Sequence, residues 1–322
     1  MSKARELSQR AGVDGALSNR NKVINGSFRV DQRNSGAAVT LQSGYTVDRF
    51  RVHGPVANMF TVQKQSVGVR VTRNSSGANF GHFGTPLEQQ DMLPYVGQEV
   101  TVSFKARGSG TIAQQFNAVD TPSATSGTAT LIAEALPYNV TTSWQRFSFT
   151  FTMPSSLSYA CVYISLAQYG DAFMSNGAWI EFDEVQLEVG DTATPFEHRS
   201  FGQELSLCQR FYQKTFRYDV QPAVGNTSYY VPANAWAYAS NDAWVAGNTS
   251  FITPMRTSPS LTVYSQQSGA TTGQIGVFNG SNWFNATAST HGISDNAFLL
   301  AFNPLATGSK LVAFNYTADA EL

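Results

Sequence analysis

From Val23 onward the chain alternates apolar and polar residues with a period of two. Phe28-Arg29-Val30, Phe50-Arg51-Val52, Phe60-Thr61-Val62, Val67–Val71, Val100–Phe104 and Phe147–Phe151 each put every second side chain on one face. Ala160–Ile164 and Ile180-Glu181-Phe182 continue the pattern. Gly, Pro, Asn and Ser punctuate these runs, which predicts short antiparallel strands with one buried face. A helix is predicted over Thr85–Met92, with Thr85 as its cap and Pro86 in the first helical position. A second is predicted over residues 197–214. There Phe201, Leu205, Cys208 and Tyr212 recur at spacings of four, three and four and form one stripe, widened by Phe211. Strands resume near Tyr218, at Ser228–Val231, Ser260–Tyr264, Gln274–Phe278, Ala297–Phe302 and Lys310–Tyr316.

Many short strands and little helix predict an all-β chain. The expected architecture is two antiparallel β-sandwich (jelly-roll-like) domains joined by a short α-helix, with a short N-terminal arm. The expected boundaries are an attachment arm over residues 1–21, a first sandwich over 22–196, a connecting helix over 197–216 and a second sandwich over 217–322. Residues 2–10 can form a short helix that Gly12 and Gly15 end. Nothing there can build a core, so the arm either orders against another surface or stays mobile. The stripe on the helix has two uses. It packs on the first sandwich as a strut, or three copies bring it together about an axis.

Composition adds a surface property. Charged residues are 13% of the 322, about half the usual ~25%, and Ser, Thr, Asn, Gln and Gly fill the difference. Hydroxyls and amides hydrogen-bond without imposing a field, as on glycan-facing and fibrous β-proteins. An ordinary all-β protein with Ser/Thr-rich loops would have the same composition. The net charge of −1 and the absence of a basic stripe argue against nucleic-acid binding. No run approaches ~18 apolar residues, so no membrane insertion is expected. The opening residues lack the apolar centre of a signal peptide, so synthesis in a cytoplasm without the standard export route is expected. Cys161 and Cys208 are expected to be buried free thiols. None of the four histidines sits in HExxH, and GxSxG does not occur. Glu181, Asp183, Glu184 and Glu188 could supply the paired carboxylates of a glycosidase. Alternation puts Glu181 and Asp183 on one face of that strand and Glu184 and Glu188 on the other. No catalytic residue is assigned, and the chain is not expected to be an enzyme.

Several segments have a familiar order. Lys22-Val-Ile-Asn-Gly-Ser-Phe-Arg-Val-Asp-Gln-Arg33 precedes Gly44-Tyr-Thr-Val-Asp-Arg-Phe50. Ser143–Pro154 and Phe182–Gly190 follow, then Leu207–Gln213 and the closing Tyr316–Leu322, after the opening Met1–Arg5. This order resembles bacteriophage tail-fibre and related virion adhesin proteins, and the first module is similar to the jelly-roll carbohydrate-binding domains attached to glycosidases. The resemblance implies a virion surface protein made in the host cytoplasm, on the tail rather than the capsid. It also implies a homotrimer that meets other virion proteins through its N-terminal arm and binds host-surface glycans. Two alternatives stand beside this: a purely structural or decoration component, and a glycan-cleaving tailspike-like enzyme.

No cofactor is required on this reading, but such modules often hold a structural calcium between the opening segment and the acidic final strand. The matching positions are Asn25, Ser27 and Asp183. Ser27 stands where an acidic residue is common, which removes a charged ligand from an ion that wants several oxygens. Without the ion, Asp183 caps a bulge or accepts backbone N–H bonds. Candidate glycan-binding rings are Tyr229, Tyr230, Trp236, Tyr238 and Trp244, with Asn234, Asn241 and Asp242 as polar partners. Flat rings stack on the C–H faces of sugars at low entropic cost; the same rings could instead fill the second core. Trp144 and Trp179, at strand starts, are expected in the first core.

Overall fold

A computed structural model of the chain describes residues 19–77, 81–123, 128–226, 231–235, 244–278, 280–302 and 310–322. The fold is all-β, with antiparallel sheets in sandwich arrangement. The chain divides into two compact units within the helix predicted to connect the sandwiches, between Glu204 and Leu205. Gln32–Ser35 count with the second unit and Leu322 with the first.

The first unit contains β1 (Val39–Leu41), β2 (Gly44–Tyr45), β3 (Arg51–His53), β4 (Phe60–Lys64), β5 (Val69–Arg73) and β6 (Gly81–Glu88). Then come β7 (Glu99–Gly108), β8 (Ile112–Thr121), β9 (Thr130–Val140), β10 (Gln145–Thr152), β11 (Cys161–Tyr169) and β12 (Trp179–Val189). One sheet has the order β1-β4-β5-β12-β7-β10 and the other β2-β3-β6-β11-β8-β9. Val62, Val71, Phe104 and Phe182 of the first sheet and Phe83, Phe116 and Ile164 of the second are fully buried in one core. A row of rings runs through it: Phe28 to Phe50 at 4.4 Å, Phe50 to Phe83 at 5.7 Å, and Phe83 to Phe182 at 5.4 Å. Each such pair adds roughly 0.5–1.5 kcal/mol beyond the burial of its area.

Three local expectations change. Phe28-Arg29-Val30 is not a strand. Phe28 has φ 54° and its N–H donates to Asn25 O at 2.8 Å, so the chain turns here. The buried Asn25 replaces a neighbouring strand: Oδ1 accepts from Val30 N–H at 2.9 Å, and Nδ2 donates to Val30 O and Asp48 O at 2.8 Å. Thr85–Glu88 is also not helical. It belongs to β6, where Pro86 pairs with Tyr163 and Thr85 Oγ1 donates to Arg49 O at 2.9 Å. Only Gln89–Met92 is helix, followed by a 3-10 turn at Leu93–Tyr95. The second predicted helix is shorter, Phe201–Gln209. Tyr212 lies beyond it in a strand that pairs with Asp319, so it does not share a helical stripe with Phe201, Leu205 and Cys208. Cys161 and Cys208 are buried free thiols, as expected.

The predicted arm also ends earlier. Asn19 and Asn21 donate their N–H groups to the Glu197 carboxylate, and Arg20 reaches Thr194 Oγ1 at 2.8 Å. Residues 1–18 lie outside the described residues.

On β12 a bulge between Asp183 and Gln186 breaks simple alternation, with Glu184 at φ 51°. Trp144 and Trp179 are half-buried and do not join the core cluster. Instead Arg70 lies 4.1 Å over Trp179 and Arg107 lies 5.0 Å over Trp144. Both arginines donate to the buried Glu181, at 2.9 Å and 2.6 Å.

The second unit contains β13 (Tyr212–Lys214), β14 (Val231–Ala235), β15 (Trp244–Ser250) and β16 (Ser260–Ser265). β17 (Gln274–Phe278), β18 (Trp283–His291), β19 (Ala297–Phe302) and β20 (Lys310–Asp319) complete it. Its sheet runs β13-β20-β17-β18-β19-β15, with β14 and β16 also paired to β20. Val263, Ile275, Val277, Phe298, Val312 and Phe314 form its core. Gln32 and Arg33 belong to this unit. Gln32 Nε2 donates to Tyr212 O at 2.9 Å, and Arg33 stacks 3.9 Å over the Tyr212 ring and pairs with Asp319 at 2.6 Å.

The opening Asn-Gly pair has a specific steric cause. A Cβ on Gly26 would lie 2.0 Å from Val185 O, at the β12 bulge, where Val185 N–H also donates to Gly26 O. Gly26→Ala is therefore expected to cost more than ~2 kcal/mol, because backbone must move on both sides of the contact. Gly110→Ala, where an added Cβ meets nothing within 4 Å, is the control. Urea unfolding of both variants checks this, and equal midpoints would contradict it.

Candidate functional site

The outward face of the β2-β3-β6-β11-β8-β9 sheet carries a cleft of about 380 Å³. Alternation aims it. Val52, Phe83, Ala118 and Ile164 go to the core, and their neighbours His53, His82, Asn117 and Tyr163 line the cleft. β3 and β6 bring His53 directly opposite His82. β11 and β8 bring Ser165 opposite Asn117. Glu134 on β9 lines the far side.

Each histidine is held through Nδ1. Ser43 Oγ lies 3.0 Å from His53 Nδ1, and Ser165 Oγ lies 3.3 Å from His82 Nδ1. Burial, then the charge of Arg51, lowers the pKa of His53. Burial, then the charge of His53, lowers that of His82 to about 4. Burial raises the Tyr163 phenol well above its ordinary value, so it keeps its proton. Two polar atoms of the cleft are buried without a partner in the protein: Asn117 Nδ2 and Tyr163 Oη. Asn117 Oδ1 accepts from Ala135 N–H at 2.7 Å, which fixes the amide. Chemically the cleft offers donors, neutral acceptors and one carboxylate, without a cationic side chain among its lining residues.

Tyr229, Tyr230, Trp236, Tyr238, Asn241 and Asp242 lie outside the described residues. Asn234 stands opposite Leu311 in β14, and Trp244 opposite Phe302 in β15. Of the three positions matched to a calcium site, Asn25 Oδ1 accepts from Val30 N–H at 2.9 Å. The Asn25 amide gathers two carbonyl oxygens by donating to them, which is work a cation would otherwise do. Asp183, pushed up to about 6 chiefly by burial, faces Glu184 and Lys105. Among the described residues, no three His, Cys, Asp or Glu side chains gather as metal ligands.

The carboxylates of β12 are also committed. The bulge leaves Glu181 and Glu188 both buried, although simple alternation separated them. Glu188 accepts from Gln186 Nε2 at 2.8 Å and from Thr194 N–H at 2.8 Å. Sequence reasoning missed the cleft itself. β8 and β9 were not recognised as strands, and His53 and His82 were tested only against local motifs. The signal available was the polar half of the alternation in Ile112–Thr121.

No protein-family model matches the chain, and no curated protein sequence matches it. Solved structures with a similar fold include one described as "CBM4 structure and function", 22% identical, with a TM-score of 0.32, covering 52% of this chain and 98% of that one. TmCBM61 in complex with β-1,4-galactotriose is 12% identical, with a TM-score of 0.33, covering 53% of this chain and all of that one. The enzymatically active domain of bacteriophage CBA120 tailspike protein 4 is 16% identical, with a TM-score of 0.32, covering 53% of this chain and 22% of that one.

The lowered pKa of His82 makes stability depend on pH. Below pH 6.5 the unfolded chain takes up a proton at His82 that the folded chain resists until about pH 4. Stability is therefore full above about pH 6.5 and falls toward pH 4, by on the order of 3 kcal/mol from this group. Urea midpoints at pH 7.5 and 4.5 for the wild type and His82→Gln test this. The variant should lose less between the two pH values, and an equal loss would contradict it.

Proposed function

We propose that the chain binds glycans through the cleft on the β11 sheet, at the surface of a bacteriophage particle. One observation carries the first part: an open cleft lined by neutral hydrogen-bonding side chains, among them His53, His82, Asn117, Tyr163, Ser165 and Gln168. A sugar suits such a lining, because each hydroxyl both donates and accepts and carries no charge. The cleft crosses five neighbouring strands, from β3 to β9. At the usual strand spacing that is roughly 20 Å, enough for several sugar units in a row. The mostly uncharged lining favours neutral glycans.

The second part rests on the order of motifs shared with tail-fibre and related virion proteins. In that setting residues 1–18 dock on other virion proteins, and a homotrimer multiplies individually weak sites on a host-surface glycan. Tail rather than capsid is the favoured place. Hydrolysis is not part of the proposal, since Glu181 and Glu188 lie on the sheet opposite the cleft and are held by Arg70, Arg107, Gln186 and Thr194.

Tyr163→Phe separates binding from folding. It deletes an orphaned hydroxyl, so thermal stability should stay level or rise. Affinity for the tightest neutral oligosaccharide on a glycan array should fall about tenfold. A drop in stability together with unchanged affinity would contradict the proposal. If the wild type binds no glycan, the reading as a structural or decoration component replaces it. Deletion of residues 1–18 should leave the unfolding midpoint unchanged and remove the protein from particles. Particles that still carry it would contradict the docking role.

A further inference from the structure

Two serines decide the state of the two histidines in the cleft. Ser43 Oγ has one proton, and Val52 O lies 3.4 Å away to receive it. The same oxygen accepts from Arg51 NH2 at 2.9 Å. His53 Nδ1 lies 3.0 Å from this oxygen and donates to it when the Ser43 proton points to Val52 O. Ser165 has the same choice: Ala167 O and His82 Nδ1 both lie 3.3 Å from its oxygen, and with the proton on Ala167 O the donor is His82 Nδ1. A neutral imidazole protonated at Nδ1 has a bare lone pair at Nε2. Both rings line the cleft, and both sit at one directly opposed pair of positions across β3 and β6. Opposed residues of this kind have Cβ atoms about 4.5–5.5 Å apart, so the two acceptors fall within reach of a single sugar unit.

We infer that His53 and His82, both protonated at Nδ1, accept hydrogen bonds at Nε2 from two free hydroxyls of one sugar unit at the β3–β6 end of the cleft. The inference rests on the glycan reading and narrows its ligand class. The unit at the β3–β6 end must be neutral with unsubstituted hydroxyls. O-methyl or O-acetyl groups there remove the donors, and a carboxylate there faces two lone pairs and is repelled. Burial and nearby positive charge keep both rings neutral at pH 7, which preserves the acceptors. The two serines are positioning residues that fix the tautomer.

Two measurements on the full chain test this. Long-range 1H–15N correlation spectra at pH 7.5, assigned with His53→Gln and His82→Gln, read the tautomers without any ligand. Both rings should show Nδ1 protonated and Nε2 bare; protonation at Nε2 in either ring overturns the inference. Titration calorimetry then uses the tightest neutral oligosaccharide from a glycan array and its O-methylated derivative. The O-methylated form should bind at least about tenfold more weakly. His53→Phe and His82→Phe should lose a similar factor, and His→Gln at each position, whose side-chain oxygen restores an acceptor, should recover most of it. Equal binding by the wild type and both Phe variants, or equal binding of the two ligands, overturns the inference and leaves the glycan reading standing. If the wild type binds no array glycan, both are overturned. Tight Zn2+ binding that is lost in His53→Phe overturns the inference in favour of a metal-ligating pair.

Discussion

A hydrogen-bonding group removed from water must find a partner, and that requirement shapes the first unit more than any single apolar contact. Sandwich cores bury apolar surface without saying where polar side chains go. Here the polar partners set the details. Asn25 stands in for a strand along the opening turn. Arg70 and Arg107 clamp Glu181 between them. The buried Arg73 reaches Asp171 at 2.8 Å and Gly77 O at 2.7 Å. Glu188 holds the turn around Thr194. The rule is left unmet at some buried atoms, Gln114 Nε2 and Tyr169 Oη as well as Asn117 Nδ2 and Tyr163 Oη.

Much of the fold was legible because period-2 alternation is a direct consequence of strand geometry. β4, β7, β10, β16 and β20 lie where their apolar alternation put them. The misreadings also have physical causes. Val23, Phe28 and Val30 are all buried, so their spacing imitates a strand, although Phe28 takes a left-handed conformation that only the turn explains. The stripe through Phe201, Leu205 and Cys208 ran on to Tyr212, where pairing with β20 competes with helix and wins. Thr85 and Pro86 have the chemistry of a helix start, but the ladder with β11 keeps them extended. Trp144 and Trp179 were expected in the core because they start strands, whereas their rings serve as faces for Arg107 and Arg70.

The candidate site was not legible, for a different reason. Its residues come from five strands spread between His53 and Gln168, so no local spacing marks it. β8 has Gln114, Gln115 and Asn117 in a row of mixed polarity, and β9 carries Pro137; both weaken the strand signal. The motif search found exposed-looking aromatics in 229–244 because stacking rings have a sequence signature. Single hydroxyls, amides and imidazoles on neighbouring strands have none. Gly26 is the point where the opening turn meets the β12 bulge, so these two segments hold the fold together.

The most direct test of a glycan site on the β11 sheet is amide hydrogen exchange of the full chain with and without a saturating array-selected oligosaccharide. A site in this cleft predicts protection in the peptides of β3, β6, β8 and β11, with residues 217–322 unchanged. Protection confined to 217–322, with the four cleft strands exchanging as in the free protein, would contradict it.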